Sequence, residues 1–406
     1  MTKALTILAA LLLGLGAGIA IGPGSVERIV ELVGALWLNG LKMTVVPLVV
    51  TLLIMGIAKT AEVARAGPLA SASLAGILTV TAISVLIGLF LTPLLLQWLP
   101  MPTASAEAMR TALGGAEKVE APPGFAQTLR GLVPSNVIDA AARSDILPLL
   151  VFTLVFAFAL TRLPAAPRAT LTGFFEALAA AMVIVIEWVL WLAPVGVFAL
   201  AFVVGATAGA AALGTLAHYI LIVSICGWVV TALAYPLAVF GGRLPLFAFA
   251  REVAAPQALA ISTQSSLACL PVMLKKAEAL GVPEPHAGVT LPMCVALLRS
   301  TGPAMNVAVA VYIANWFGIT IGPAQMFVGF FAAMLASLGA VSLPGTVSFF
   351  SSMVPICIAL GVPIEPLAIL IAVETLPDIT RTLGNVTMNV ALTATVHEQV
   401  GKTSDA

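Results

Sequence analysis

The chain has 406 residues, of which 61% are hydrophobic and 9% charged, and its formal net charge is zero. A water-facing domain carries about 25% charged residues, so most of this surface must face lipid, and the balanced charge gives no case for nucleic acid. The four cysteines (Cys226, Cys269, Cys294, Cys357) lie scattered in apolar runs without C-x-x-C spacing and read as small core residues, not as a metal or disulfide framework.

A spanning helix needs roughly 20 mainly apolar residues. The run 4–21 meets that length, and more apolar sequence follows it, so it reads as a first span and not as a cleaved leader. Further spans are expected over 30–57, 69–99, 146–162, 176–204 and 214–240. Lys3, Lys59, Arg65, Arg162, Arg168, Arg243 and Arg251 fall on one side of these spans. The loops around 22–27 and 205–216 are nearly free of Lys and Arg, and 100–135 mixes both signs. Basic loops stay in the cytoplasm, which places both termini there; a cell (inner) membrane is the expected location.

Beyond about residue 250 the apolar stretches shorten and are interrupted by Ser, Thr, Gly and Pro. Ser262–Pro271 and Ser337–Thr346 each lie between apolar arms too short to span fully. Irregular backbone at membrane depth is tolerated only where it is buried in protein or lines a wet cavity. Two interrupted segments in comparable positions point to a transporter binding site, although kinked helices would give a similar pattern.

The stretch Val373–Asn389 carries Glu374, Asp378, Arg381, Asn385 and Asn389 at spacings of 4, 3, 4 and 4, which gathers all five on one helix face. Apolar sequence flanks it, so that face lies inside the membrane domain. A central charge there costs about 2.5–3.5 kcal/mol, and such residues face a cavity and pair with one another. Asp378 and Arg381 can pair within the helix. Arg381 also offers a planar fork to a carboxylate, and Asp378, one turn away, suits an ammonium group. No nucleophile–base or metal constellation stands beside this stripe, so an enzyme is not expected. The histidines His218, His286 and His397 are dispersed, and His286, in the turn Pro283-Glu-Pro-His, reads as solvated.

Several stretches in order along the chain resemble the dicarboxylate/amino-acid:cation symporter family, which includes archaeal and bacterial aspartate and glutamate transporters. These are Leu41–Pro47, Val133–Asn136 with Ile146–Pro148, Ala193–Leu200, Ser265-Ser266 with Leu270-Pro271, Ser337–Thr346, and Asp378-x-x-Arg-Thr-x-x-Asn385. The resemblance implies an all-α polytopic membrane protein with eight transmembrane helices and two re-entrant hairpins, working as an elevator-type transporter and as a homotrimer. It further implies scaffold helices 1 and 2 in 1–65, and helix 3 of the transport part with an extracellular loop in 66–135. Helices 4–6 would occupy 136–250, with 4 and 5 in the scaffold and 6 in the transport part, and the transport core would occupy 251–406. Asp378 would hold a substrate amine, Arg381 a side-chain carboxylate, and Thr382 and Asn385 the α-carboxylate. Ser265 and Ser266 on one tip, and Val341, Ser342, Pro344 and Gly345 on the other, would close over the substrate. The substrate is thus expected to be a small carboxylate of the aspartate or glutamate type, with no cofactor.

The chain departs from that family in its seventh helix, where Leu298-Arg-Ser-Thr-Gly302 stands in place of Asn-Met-Asp-Gly-Thr. Leu298 and Ser300 replace sodium ligands, and Asn389 replaces a third, an aspartate. A hard cation needs oxygen ligands, preferably charged, so the family's sodium sites are not expected and no metal is assigned. Arg299 has entered their midst, and two readings stay open for it: a fixed internal cation, with Glu374 and Asp378 as its expected partners, or a side chain that snorkels to an interface or lines a wall. Other readings stay open: proton coupling through Glu374 or Asp378, a proton-coupled C4-dicarboxylate transporter, or a substrate-binding membrane receptor of the same fold.

Overall fold

In lipid a backbone has no hydrogen-bond partner but itself, and all regular structure among the described residues is helical. The computed structural model describes residues 2–64, 67–101, 107, 110, 131, 133–143, 145–339 and 345–404. The first half holds α1 (Thr2–Ile21), α2 (Ser25–Val63), α3 (Pro68–Trp98), α4 (Val137–Ala142), α5 (Ile146–Thr161), α6 (Ala165–Trp191), α7 (Ala193–Ala208) and α8 (Ala211–Pro236), which ends in a π-turn at Leu237–Gly241. The segments Val26–Val63, Pro68–Trp98, Ala165–Trp191, Ala211–Gly241 and Glu284–Trp316 are long and apolar enough to cross a membrane. The chain is therefore an all-α, multi-pass membrane protein.

Most expected spans coincide with one helix each, but 176–204 does not. It breaks between Trp191 and Ala193, because Pro194 at the start of α7 has no N–H to continue the helical ladder. Hydropathy runs smoothly through that point, so apolar patterning alone passes over it. The short α4 is set by Asn136, whose Oδ1 accepts from the backbone N–H of Ile138 at 2.9 Å and of Asp139 at 3.3 Å.

Helices α1, α2, α5, α6 and α7 pack on one another. The closest crossing is α1 on α7, where glycines bring the backbones into contact: a Cβ on Gly18 would lie 2.1 Å from the Phe202 carbonyl oxygen, and one on Gly205 would lie 2.4 Å from that of Leu15. Small residues serve this purpose in membranes, where helices associate by close packing and not by hydrophobic exclusion.

The second half holds α9 (Leu246–Thr263), α10 (Ser266–Ala279), α11 (Glu284–Leu297), α12 (Gly302–Trp316), α13 (Pro323–Gly339), α14 (Gly345–Ala359), α15 (Leu367–Leu370) and α16 (Thr375–Ser404). Here α16 is central and packs against α3, α8, α9, α10 and α11, while α12 lies on α3, α8 and α14. The pair α13–α14 meets both groups, touching α2 and α5 as well as α3 and α12. Lys42 of α2 also reaches Glu365, just before α15, at 2.7 Å. His286 and His397 meet with their Nδ1 atoms 2.8 Å apart, and His286 is half-buried. That corrects its reading as a solvated turn residue: contact between α11 and the end of α16 is invisible in local sequence.

Candidate functional site

The arms α9 and α10 lie side by side and reverse at Gln264, which sits in the left-handed region at φ 50°. Ser265 Oγ then accepts from the Ala268 N–H at 3.3 Å and caps α10, so the hairpin tip presents a helix N-terminus beside Ser265 and Ser266. Glu252 and Lys276, 2.8 Å apart, tie the two arms together.

Opposite this tip the helical course of α11 stops. Leu298 adopts an extended conformation (φ −91°, ψ 108°), and Gly302-Pro303 begins α12. The intervening backbone is held by α16. Asn385 Oδ1 accepts from Ser300 Oγ at 3.2 Å and from the Thr301 N–H at 3.1 Å. The Thr301 hydroxyl lies 2.9 Å from the same oxygen and 2.8 Å from the Arg381 carbonyl oxygen, and its single proton serves one of them at a time. The backbone N–H can only donate, so it settles the orientation of the Asn385 amide and leaves its nitrogen as a remaining donor.

The charges form two unequal groups. Arg381 Nη1 donates to Asp378 Oδ1 at 2.8 Å, and Nη2 lies 2.5 Å from Glu374 Oε1 as an ion pair without hydrogen-bond alignment. Glu374 Oε2 accepts from the Tyr219 hydroxyl at 3.1 Å. Glu374 is 5% and Arg381 9% exposed, so the pairing offsets a desolvation cost of several kcal/mol per ion. Arg381 Nε, also buried, has no hydrogen-bond partner among the described residues. Arg299, by contrast, donates from Nη1 to the Ser348 hydroxyl on α14 and, among the described residues, makes no ion pair. Glu374 and Asp378, its expected partners, are both engaged by Arg381 instead. One turn beyond Ser348, Ser352 accepts from Asn306 Nδ2 at 3.0 Å, a second tie between α14 and α12.

These elements enclose a cavity of about 430 Å³, within the range of small-molecule sites. Ser265, Ser266, Arg299, Asp378, Arg381, Thr382 and Asn385 line it. Glu374 and Ser300 stand behind that wall. Asn389, fully buried, lies apart from it, and neither of its amide atoms makes a hydrogen bond among the described residues. Val341, Ser342 and Pro344 lie outside the described residues, and Gly345 opens α14. Patterning missed Ser348, Ser352, Asn306, Thr301 and Tyr219. The i, i+4 pair Ser348 and Ser352 and the lone polar residues in apolar runs were the available signals.

Where the resemblance placed sodium ligands, Leu298 supplies an apolar side chain, the Ser300 hydroxyl is spent on Asn385, and Asn389 carries an amide. Among the described residues no three His, Cys, Asp or Glu side chains cluster. That donor set does not fit the acidic oxygen cage a hard cation prefers.

A charged cavity between broken helices and helix pairs, inside a multi-pass helical protein, is the layout of a membrane transporter site. The chain belongs to the sodium:dicarboxylate symporter family, whose pattern matches residues 4–399. It is 28% identical over 369 residues to the proton/glutamate-aspartate symporter of Escherichia coli (strain K12), covering 88% of this chain and 82% of that one. It is 28% identical to the proton/sodium-glutamate symport protein of Bacillus subtilis (strain 168), covering 96% and 90%. It is also 28% identical to the C4-dicarboxylate transport protein of Anaeromyxobacter sp. (strain K), covering 90% and 82%.

Proposed function

We propose that the chain is a secondary transporter, not an enzyme, that carries an acidic amino acid of the aspartate or glutamate type across the cell (inner) membrane without the family's usual sodium sites. The observation that carries this reading is the cavity wall formed by Asp378, Arg381, Thr382 and Asn385 on one face of α16. In this account Asp378 holds the amine, Arg381 a side-chain carboxylate, and Thr382 and Asn385 the α-carboxylate. The α10 N-terminus at Ser265-Ser266 suits an anion.

The movement we propose is an elevator. Helices α1, α2 and α4–α7 form the scaffold, as a homotrimer with both termini cytoplasmic, and α3, α8–α14 and α15–α16 form the moving part. Counted this way, α4–α5, α6–α7, α11–α12 and α15–α16 each make one crossing, which gives eight helices and two hairpins. In support, α13 and α14 supply most of the contact between the two packing groups.

A second reading is proton-coupled transport of a C4-dicarboxylate, with Glu374 or Asp378 taking the proton. The relationship to the Anaeromyxobacter protein and the buried, Tyr219-bound Glu374 favour it. A substrate-binding receptor of the same fold would keep the cavity but not the movement. Asp378→Ser separates the first two. We expect aspartate affinity to fall at least tenfold, since a hydrogen bond to a charged group contributes about 1.5–3 kcal/mol, while succinate and malate change far less. Equal losses for both classes, measured by calorimetry on purified protein, would remove Asp378 as the amine partner.

A further inference from the structure

Two guanidinium groups face one cavity, and they are not equivalent. Arg381 is met by two carboxylates, Glu374 and Asp378. Arg299, on the non-helical segment between α11 and α12, has only a neutral hydroxyl, Ser348, for a partner among the described residues. A guanidinium cannot shed its charge, and charges removed from water are normally paired. Glu374 and Asp378 pair with Arg381, and Asp378 acts on Arg299 only through its field, without an ion pair. With Nη1 bonded to Ser348, the Nε–Nη2 edge of Arg299 makes no hydrogen bond among the described residues, and that edge is the fork that takes a carboxylate in bidentate fashion. The Asn385 amide nitrogen, turned away from the donors that meet Oδ1, adds a further donor to the same wall.

We propose that Arg299 is a second carboxylate receptor in this cavity, so that the substrate carries two carboxylates, one read by Arg381 and the other by Arg299. This rests on the transporter reading above and deepens it: Arg299 becomes a substrate-contacting residue and not only a background cation. It also connects the ligand to α14 through Ser348, so the second hairpin arm shares a partner with the bound carboxylate.

The test uses purified full-length protein and calorimetry with L-aspartate and its two monoamides, asparagine and isoasparagine. The unmodified protein should prefer aspartate to each amide by at least tenfold. In Arg299→Gln one of those two preferences should collapse to near unity while the other persists. A merely structural role changes the three ligands together and a merely electrostatic one lowers both ratios equally, because aspartate carries one more negative charge than either amide, so preservation of both ratios, or an equal fall in both, overturns the proposal. Should the Gln variant unfold early in a thermal scan, Arg299→Lys keeps the charge but loses the fork, and one ratio should still drop severalfold. Unchanged ratios in the Lys variant would then overturn it. If the unmodified protein binds neither aspartate nor succinate, the transporter reading falls as well, whereas preserved ratios in the variants remove this proposal alone.

Discussion

Arg381→Ala is expected to weaken binding of aspartate and glutamate at least tenfold and to destabilise the folded protein. The binding loss follows from removing a charge-assisted carboxylate contact of about 1.5–3 kcal/mol, which is at least tenfold in affinity. The stability loss has a separate cause. Glu374 and Asp378 would lose the cation that sits 2.5 Å and 2.8 Å from them, and breaking a buried pair from one side costs about 3–5 kcal/mol. The combined variant Glu374→Gln, Arg381→Gln distinguishes the two effects. Removing both charges leaves less uncompensated, so it should regain much of the stability while aspartate still binds weakly. Aspartate affinity unchanged in Arg381→Ala, read by calorimetry, would remove Arg381 from the substrate site.

Gly384→Ala is the second large effect, and it acts without touching the cavity. A methyl group there would fall 2.2 Å from Thr231 Oγ1 and 2.3 Å from Thr301 Cγ2. Neither neighbour is free to move. Thr231 donates to the Gly227 carbonyl at 2.8 Å, and Thr301 holds Asn385 and the Arg381 carbonyl. Ala in place of a mid-helix Gly gains about 0.5–1 kcal/mol, but overpacking costs about 1–3 kcal/mol and each displaced hydrogen bond about 0.5–1.5 kcal/mol more, so the clash wins. We expect a lower Tm and weaker substrate binding, because Thr301 and Asn385 shift together. Gly288→Ala, where a Cβ meets nothing within 4 Å, should instead hold or raise the Tm. A Gly384→Ala protein as stable as the unmodified one would show that the Thr301 joint is loose.

The parts of this site that are local in sequence were readable in advance. Asp378 and Arg381 converge because a spacing of 3 places them on one face of α16, and Glu374, in the turn just ahead of that helix, stays on the same side because its carbonyl still accepts from the Asp378 N–H at 2.9 Å. The Ser262–Pro271 interruption is also local: its turn at Gln264 and cap at Ser265 are decided within a few residues. What patterning could not supply are partners distant along the chain. Arg299 was expected to face Glu374 and Asp378, yet Tyr219, which arrives from α8, and Arg381 take up Glu374, and Ser348 on α14 takes up Arg299. The break at Leu298–Thr301 was hidden for a related reason. Its unpaired backbone is stabilised by Asn385, more than 80 residues later, and nothing near Leu298 announces that support.

Counterflow in proteoliposomes tests the central claim most directly. Vesicles containing the purified protein, loaded with unlabelled aspartate, glutamate or succinate and diluted into a trace of the labelled compound, should accumulate label in sodium-free buffer. Addition of sodium should leave that accumulation essentially unchanged, because a ligand without differential affinity shifts no equilibrium. Accumulation that appears only with sodium would contradict the sodium-independent account, and no accumulation of any acidic compound would contradict transport itself.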